Sequence, residues 1–366
     1  MRSQIIALSL AITSVATCQN QAIPSSIDLA PYQQKINNAF LTNGATPEQT
    51  QKATQALGLN TITHASQTTQ LVNGAYQSTL TLKRPQRGIF QCFGTPSTDA
   101  LPFYAPASTD IALQLSLDLS HFEDLYLAYH SALNQRDQAR AWLDQPIGSL
   151  TLAQHLKELH PRLHLTIDFE DDTSLNLGNK SIGRPQCLLR IDGMSRPLEK
   201  LLQHYVKTRG VPFKKNPAGN YQLPAYLAEA MANYLPVIRF NHTSDQTIIA
   251  SSTQTLERMA DRDDEIVDDP NFLKTWQPMP ARAHSKLYIS KRAVHGFRLL
   301  FQQAMKEKWT DNPIIIENKL ALTAAVNQLD ATEFGLAFAL VSDEKQDTLH
   351  VHSPIPLSLF LWFLAK

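Results

Sequence analysis

Between Leu188 and Gly210 the hydrophobic period of the chain changes from two to about 3.6, and no other stretch constrains the fold as much. Leu189 and Ile191 alternate with Arg190 and Asp192, as a half-buried strand requires; Leu198, Leu201, Leu202 and Tyr205 then recur at helical spacing. Ser195 stands where a helix cap belongs, Pro197 in the first turn and Gly210 at the stop. A strand with one apolar face, feeding an amphipathic helix, must pack that helix back onto a sheet.

The same change of period occurs elsewhere. Ile111, Leu113, Leu115 and Leu117 alternate with polar residues before Ser120 and the helical set Phe122, Leu125, Tyr126 and Tyr129. Leu287 and Ile289 alternate before Val294, Phe297, Leu300 and Phe301. Hairpins accompany these units. They are predicted for Leu163 to Phe169 turning at Asp171-Asp172 toward Leu175, for Val237 to Asn241 with Thr247 to Ser251, and for Phe334 to Val341 with Thr348 to His352. A short hairpin crosses Asn216 to Asn220, and an early one pairs Ala75 to Lys83 with Gly88 to Phe93 across Arg84 to Arg87.

This pattern predicts an α+β fold of repeated strand-helix-hairpin units forming antiparallel or mixed sheets. Helices are expected on one face, because alternating strands offer one apolar side. The organisation read from the sequence is a signal peptide at 1–18, a tether at 19–45, an N-terminal helix and hairpin at 46–100, repeat units at 101–262 and a C-terminal α+β unit at 263–366. The apolar run from Leu357 to Leu364 is too short to cross a membrane and reads as a docked core element, with an exposed partner or membrane contact as the alternative.

Arg2 and the apolar segment Ile5 to Ala16 have the form of a secretory signal, well short of the about 20 residues of a membrane-spanning helix. The segment closes on Val15-Ala16-Thr17-Cys18, which is similar to a bacterial lipobox except that Thr17 replaces the usual small Ala, Gly or Ser. Lipidation of Cys18 is the expectation, with simple signal cleavage or a retained anchor as the alternatives. Export would place Cys92 and Cys187 in an oxidising compartment, where an even pair is a candidate disulfide; the other reading is two separate buried thiols.

The 33 basic and 33 acidic side chains cancel, and no dense basic stripe marks a nucleic-acid surface. Membrane contact is expected through the N-terminal lipid, and the expected partner is an envelope protein or polymer.

Candidate chemistry is sparse. Asp168, Glu170 and Asp172 share one strand face, as calcium ligands would, but Thr173 and Asn179 stand where a calcium loop needs Gly and Glu. His350 and His352 share a strand face, a spacing that suits two ligands of one metal, with no third ligand in view. His155 and His160 are five apart, which on a helix separates them by about 140°, the wrong geometry for a zinc peptidase. Gly193-Met194-Ser195-Arg196-Pro197 lacks the second glycine of a hydrolase elbow. No phosphate loop or dinucleotide fingerprint occurs, so no cofactor is expected.

With its strand-to-helix units and the stretch from Thr247 to Met259, the region from Leu101 to His352 resembles an uncharacterised family of secreted bacterial proteins. The resemblance implies an extracytoplasmic α+β repeat protein and carries no activity or site residues. The function expected is a non-catalytic secreted or lipid-anchored envelope protein with a binding or scaffolding role. The alternative is an extracytoplasmic hydrolase whose groups converge from distant parts of the chain.

Overall fold

A computed structural model describes residues 23–62, 64–83, 88–94, 105–177, 180–224, 226, 235–260, 265–296, 323, 327, 332–343 and 345–357. Strand β1 (Ile23–Asp28) leads through helices α1 (Ala30–Thr42) and α2 (Pro47–Ala56) to the hairpin of β2 (His64–Val72) and β3 (Ala75–Lys83). β4 (Ile111–Ser116) is followed by α3 (Phe122–Ala132), α4 (Arg136–Leu143), the short β5 (Pro146–Ile147) and β6 (Leu150–Thr151), and α5 (Leu152–Lys157). The long hairpin of β7 (Arg162–Leu177) and β8 (Lys180–Asp192) then feeds α6 (Ser195–Arg209). Next come β9 (Lys214–Lys215), β10 (Tyr221–Gln222), β11 (Val237–Asn241), β12 (Gln246–Ala250), α7 (Thr253–Ala260) and α8 (Pro270–Trp276). β13 (Ser285–Ile289) and the hairpin of β14 (Leu336–Ser342) and β15 (Gln346–Ser353) complete the set.

The fold is α+β. Among the described residues, apart from the β5–β6 ribbon, the strands form one 13-stranded sheet in the order β1-β2-β3-β15-β14-β13-β4-β7-β8-β12-β11-β10-β9. Its paired neighbours are antiparallel. The sheet runs across the boundaries read at residues 100 and 262, because β3 pairs with β15 and β13 pairs with β4.

Register explains why the alternation was so regular. Leu287, Leu113, Leu165, Leu189 and Ile249 are successive cross-strand partners, so leucines scattered through the sequence form one apolar row. On this face Leu163, Leu189, Ile191 and Ile249 pack with Leu156 of α5, Leu159 and Leu198 of α6.

The expectation of helices on one face is corrected by the opposite side of the sheet. There Ala112, Tyr288, Ala337 and Ala339 pack against Phe272 and Trp276 of α8, and Val237 and Ala250 pack against Leu256 of α7. Small alanines at alternate positions let this second layer approach closely. The intervening polar side chains are covered too: Lys286 is 1% exposed and Gln114 2%. In β4 and β13 polar alternation therefore marked a second buried face rather than a solvated one.

Three local readings change. Residues 23–42, read as part of a tether, form β1 and α1, and Gln33 Nε2 ties α1 to the carbonyls of Leu59 and Ile62 at 3.0 and 2.7 Å. β3 pairs with β2 rather than with Gly88 to Phe93, where Ile89–Cys92 is a 3-10 turn. The Asn73-Gly74 turn, with φ of 52° and 79°, makes that hairpin, since both central residues of the turn need positive φ. Finally, β7 continues through Asp171-Asp172 to Leu177, and the predicted turn is a register shift between Glu170 and Ser174.

Cys18, Phe297, Leu300 and Phe301 lie outside the described residues. So does the terminal run after Leu357, a residue that is itself buried with Ala65, Leu80 and Val351. Among the described residues, no helix is long and apolar enough to cross a membrane.

Candidate functional site

Asp168, singled out from the sequence, is 4% exposed and held by two arginines. Arg292 Nη2 donates to its Oδ1 at 2.7 Å and Arg258 Nη2 to its Oδ2 at 2.9 Å. Arg292 also clamps Asp110, its Nε lying 2.9 Å from Oδ1, while Ser290 Oγ donates to the same oxygen at 2.7 Å and Phe169 N to Oδ2 at 2.9 Å. Hydrogen bonding to Asp110 raises the guanidinium pKa of Arg292, burial opposes it, and the charges of both aspartates add to the rise. Two carboxylates facing two guanidiniums cancel, so the cluster serves to join β4, β7, α7 and the helix that contains Arg292. The side chains of Glu170 and Asp172 lie outside those described. Among the described residues, no group of three or more His, Cys, Asp or Glu is placed to hold a metal ion.

Ser195 does not cap its own helix. Met194 is the N-cap, and Ser195, fully buried, donates from both its backbone N and its Oγ to Asp245 Oδ1 at 3.0 and 2.7 Å. Asp245, at φ 50° in the β11–β12 turn, thus caps α6 from outside it. Ser195 Oγ also lies 3.2 Å from His242 Nδ1, and His242 Nε2 lies 2.7 Å from Glu199 Oε2. Glu199 Oε1 accepts from Lys215 Nζ at 3.0 Å and from Tyr221 OH at 3.1 Å. Burial pushes the Glu199 carboxyl up, but these partners outweigh it and hold it below the ordinary carboxylate range. A serine, an imidazole and a carboxylate therefore converge, unseen in the sequence because they come from α6 and a distant hairpin. The serine proton points to Asp245 and the hydroxyl has no exposed surface, so this arrangement fastens α6 to β9–β12.

Cys92 and Cys187 are separate free thiols, and burial raises the pKa of each. Cys187 stands opposite Ile167, which stands opposite Ile111, whereas the Cys92 carbonyl meets Asp118 N beyond the far end of β4. At about 3.3 Å per residue the offset from Ile111 to Asp118 is about 23 Å, against the about 7 Å limit between the Cα atoms of a disulfide. His155 meets the Ile147 carbonyl at 3.0 Å and His160 lies past the end of α5, 3.3 Å from Asp118.

His350 and His352 lie on one face of β15, as the spacing required. His352 is 5% exposed, and its Nδ1 is 2.6 Å from the Thr275 carbonyl. A carbonyl only accepts, so Nδ1 carries the proton and Nε2 is left as an acceptor. Burial lowers the pKa of both histidines, with the Thr275 bond opposing it at His352. Phe334 stacks on the His352 ring, with centroids 5.0 Å apart and planes 5° from parallel.

His352 and Phe334 line a groove of about 830 Å³ together with Gln77, Lys274, Gln277 and Glu333. It opens between the β2–β3 turn, the end of α8 and the entry to β14. Lys274 and Glu333 pair across it at 3.2 Å, their side chains 58% and 77% exposed, so its charged groups neutralise one another. From Gln77 the same sheet face continues as cross-strand polar pairs: Gln70 with Gln77 at 3.1 Å, Thr68 with Thr79 at 2.5 Å and Thr81 with Thr348 at 3.5 Å. Of the residues singled out in the sequence for ligand chemistry, only His352 is placed here. The rest of the groove is neutral and polar, and no motif marked it.

Compared with known protein families, characterised proteins and solved structures, the chain has no significant match.

Proposed function

We propose that the chain is exported, held at the cell envelope through a lipid on Cys18, and serves there to bind or scaffold another envelope component. The carrying observation is the apolar Ile5 to Ala16 segment closing on Cys18. A solvent-open polar groove, continuous with a broad face of hydroxyls and amides, supports the binding role. The repeat reading belongs to this proposal: β1-β2-β3, β4-β7-β8 and β13-β14-β15 are each consecutive neighbours in the sheet, with helical sequence between the first two strands.

Fractionation of cells producing the wild-type chain and Cys18→Ala tests the anchor. The wild type is expected with the membranes and the variant in the soluble extracytoplasmic fraction. Wild-type protein in the cytosol would overturn the proposal.

A second reading, an extracytoplasmic hydrolase, draws support from the convergence of Ser195, His242 and Glu199. A fluorophosphonate adduct on Ser195 in the folded chain would establish it. An unlabelled Ser195 would match the buried capping geometry.

A further inference from the structure

Resting on the binding role above, we propose that the groove between the β2–β3 turn and α8, with the threonine and glutamine face beside it, holds a neutral polyhydroxylated chain such as a glycan strand. The argument begins with backbone. β2, β3 and β15 are interior strands of the sheet, with both neighbours in place. A peptide ligand that adds a strand needs an open edge, and these strands offer only side chains.

Those side chains are of one chemical kind. Gln77 and Gln277 carry amides that donate and accept, and Thr68, Thr79, Thr81 and Thr348 carry hydroxyls that do the same. Vicinal sugar hydroxyls are their complement. The Lys274–Glu333 pair neutralises itself, so the groove selects neither an anion nor a cation.

The buried end of the groove is more specific. His352 is fixed by the Thr275 carbonyl, so its ring presents Nε2 as an acceptor, which has no hydrogen-bond partner among the described residues. A ligand hydroxyl supplies the donor this atom lacks. Phe334, backed on one side by the His352 ring, gives an apolar plate of the type that the C–H face of a pyranose covers. The volume of about 830 Å³ falls in the range of small-molecule clefts, and the open sheet face allows a longer chain to continue beyond it.

The test is a calorimetric titration of the full chain carrying Cys18→Ala with two neutral probes, cellohexaose and chitohexaose, and with poly-glutamate as a charged contrast. At least one hexasaccharide is expected to bind. Gln77→Ala and Gln277→Ala should each weaken it about three- to tenfold, the effect of removing one hydrogen bond. Gln277 is exposed, so its variant keeps the fold and the measurement remains decisive if Gln77→Ala proves unstable. Failure of both sugars to bind, indifference of binding to both glutamine variants, or tighter binding of poly-glutamate would overturn the inference. The fractionation experiment reads separately. A membrane-anchored chain that binds neither sugar sinks the glycan assignment alone, and a cytosolic chain that binds one sinks the envelope reading alone.

Discussion

Replacing Asp110 by Asn tests whether the buried ion cluster holds the sheet to its helices. Asp110 is 1% exposed, and its carboxylate accepts from Ser290 Oγ, Arg292 Nε and Nη2, and Phe169 N. Asparagine keeps the shape but sets an NH2 group against one of those donors and removes the charge facing Arg292. Breaking one side of a buried ion pair costs about 3 to 5 kcal/mol. The lower end applies, because the Arg292 side chain is 48% exposed and retains Asp168 at 2.7 Å. Unfolding entropy of about 2.1 cal/mol/K per residue, over 366 residues, converts about 3 kcal/mol into a fall of about 4 °C in the melting midpoint. Thermal denaturation followed by circular dichroism reads this directly, with Lys274→Ala in the exposed Lys274–Glu333 pair as a control expected to move little. An Asp110→Asn midpoint within about 1 °C of wild type would refute the reasoning.

Ile191→Ala should cost about 2 to 4 kcal/mol in urea denaturation, because Ile191 is 9% exposed and packs with Leu159 and Met194; a loss of under about 0.5 kcal/mol would mean that α6 does not rest on this row. Gly88→Ala should destabilise the chain, since Gly88 has φ 98° and a Cβ there would collide with the Leu57 carbonyl; an unchanged midpoint would show that the loop repacks. The folded pKa of Glu199 is depressed, so its contribution is full above the unfolded value of about 4.3 and is lost as pH falls through the lower folded value. Glu199→Gln should therefore destabilise at neutral pH, and its difference from wild type should shrink as the pH falls below about 4. A difference that grows in acid would contradict the assigned partners.

The strands that sequence made legible are those with leucine or isoleucine on one face. Leu113, Leu165, Leu189 and Leu287 needed only a period of two to be placed, and register then aligned them. β2 escaped notice because its inward positions are Ala65, Gln67 and Thr69, which carry little hydrophobic signal. The second helix layer was hidden for a related reason: Ala112, Ala337 and Ala339 face it, and alanine at alternate positions reads as weakly as a solvated face. Site chemistry was less legible still. His352 stood out through its spacing from His350, yet its role is set by Thr275 and Phe334, which no local pattern links to it. The capping of α6 was correctly located but wrongly credited to Ser195, since the carboxylate that does it comes from Asp245 in a distant turn.

Intact-mass and peptide mass spectrometry of the mature N-terminus tests the envelope account most directly. The account predicts a chain that begins at Cys18 and carries a diacylglyceryl group on its sulfur. A chain that retains Met1, with Cys18 unmodified, would contradict cleavage and the lipid anchor.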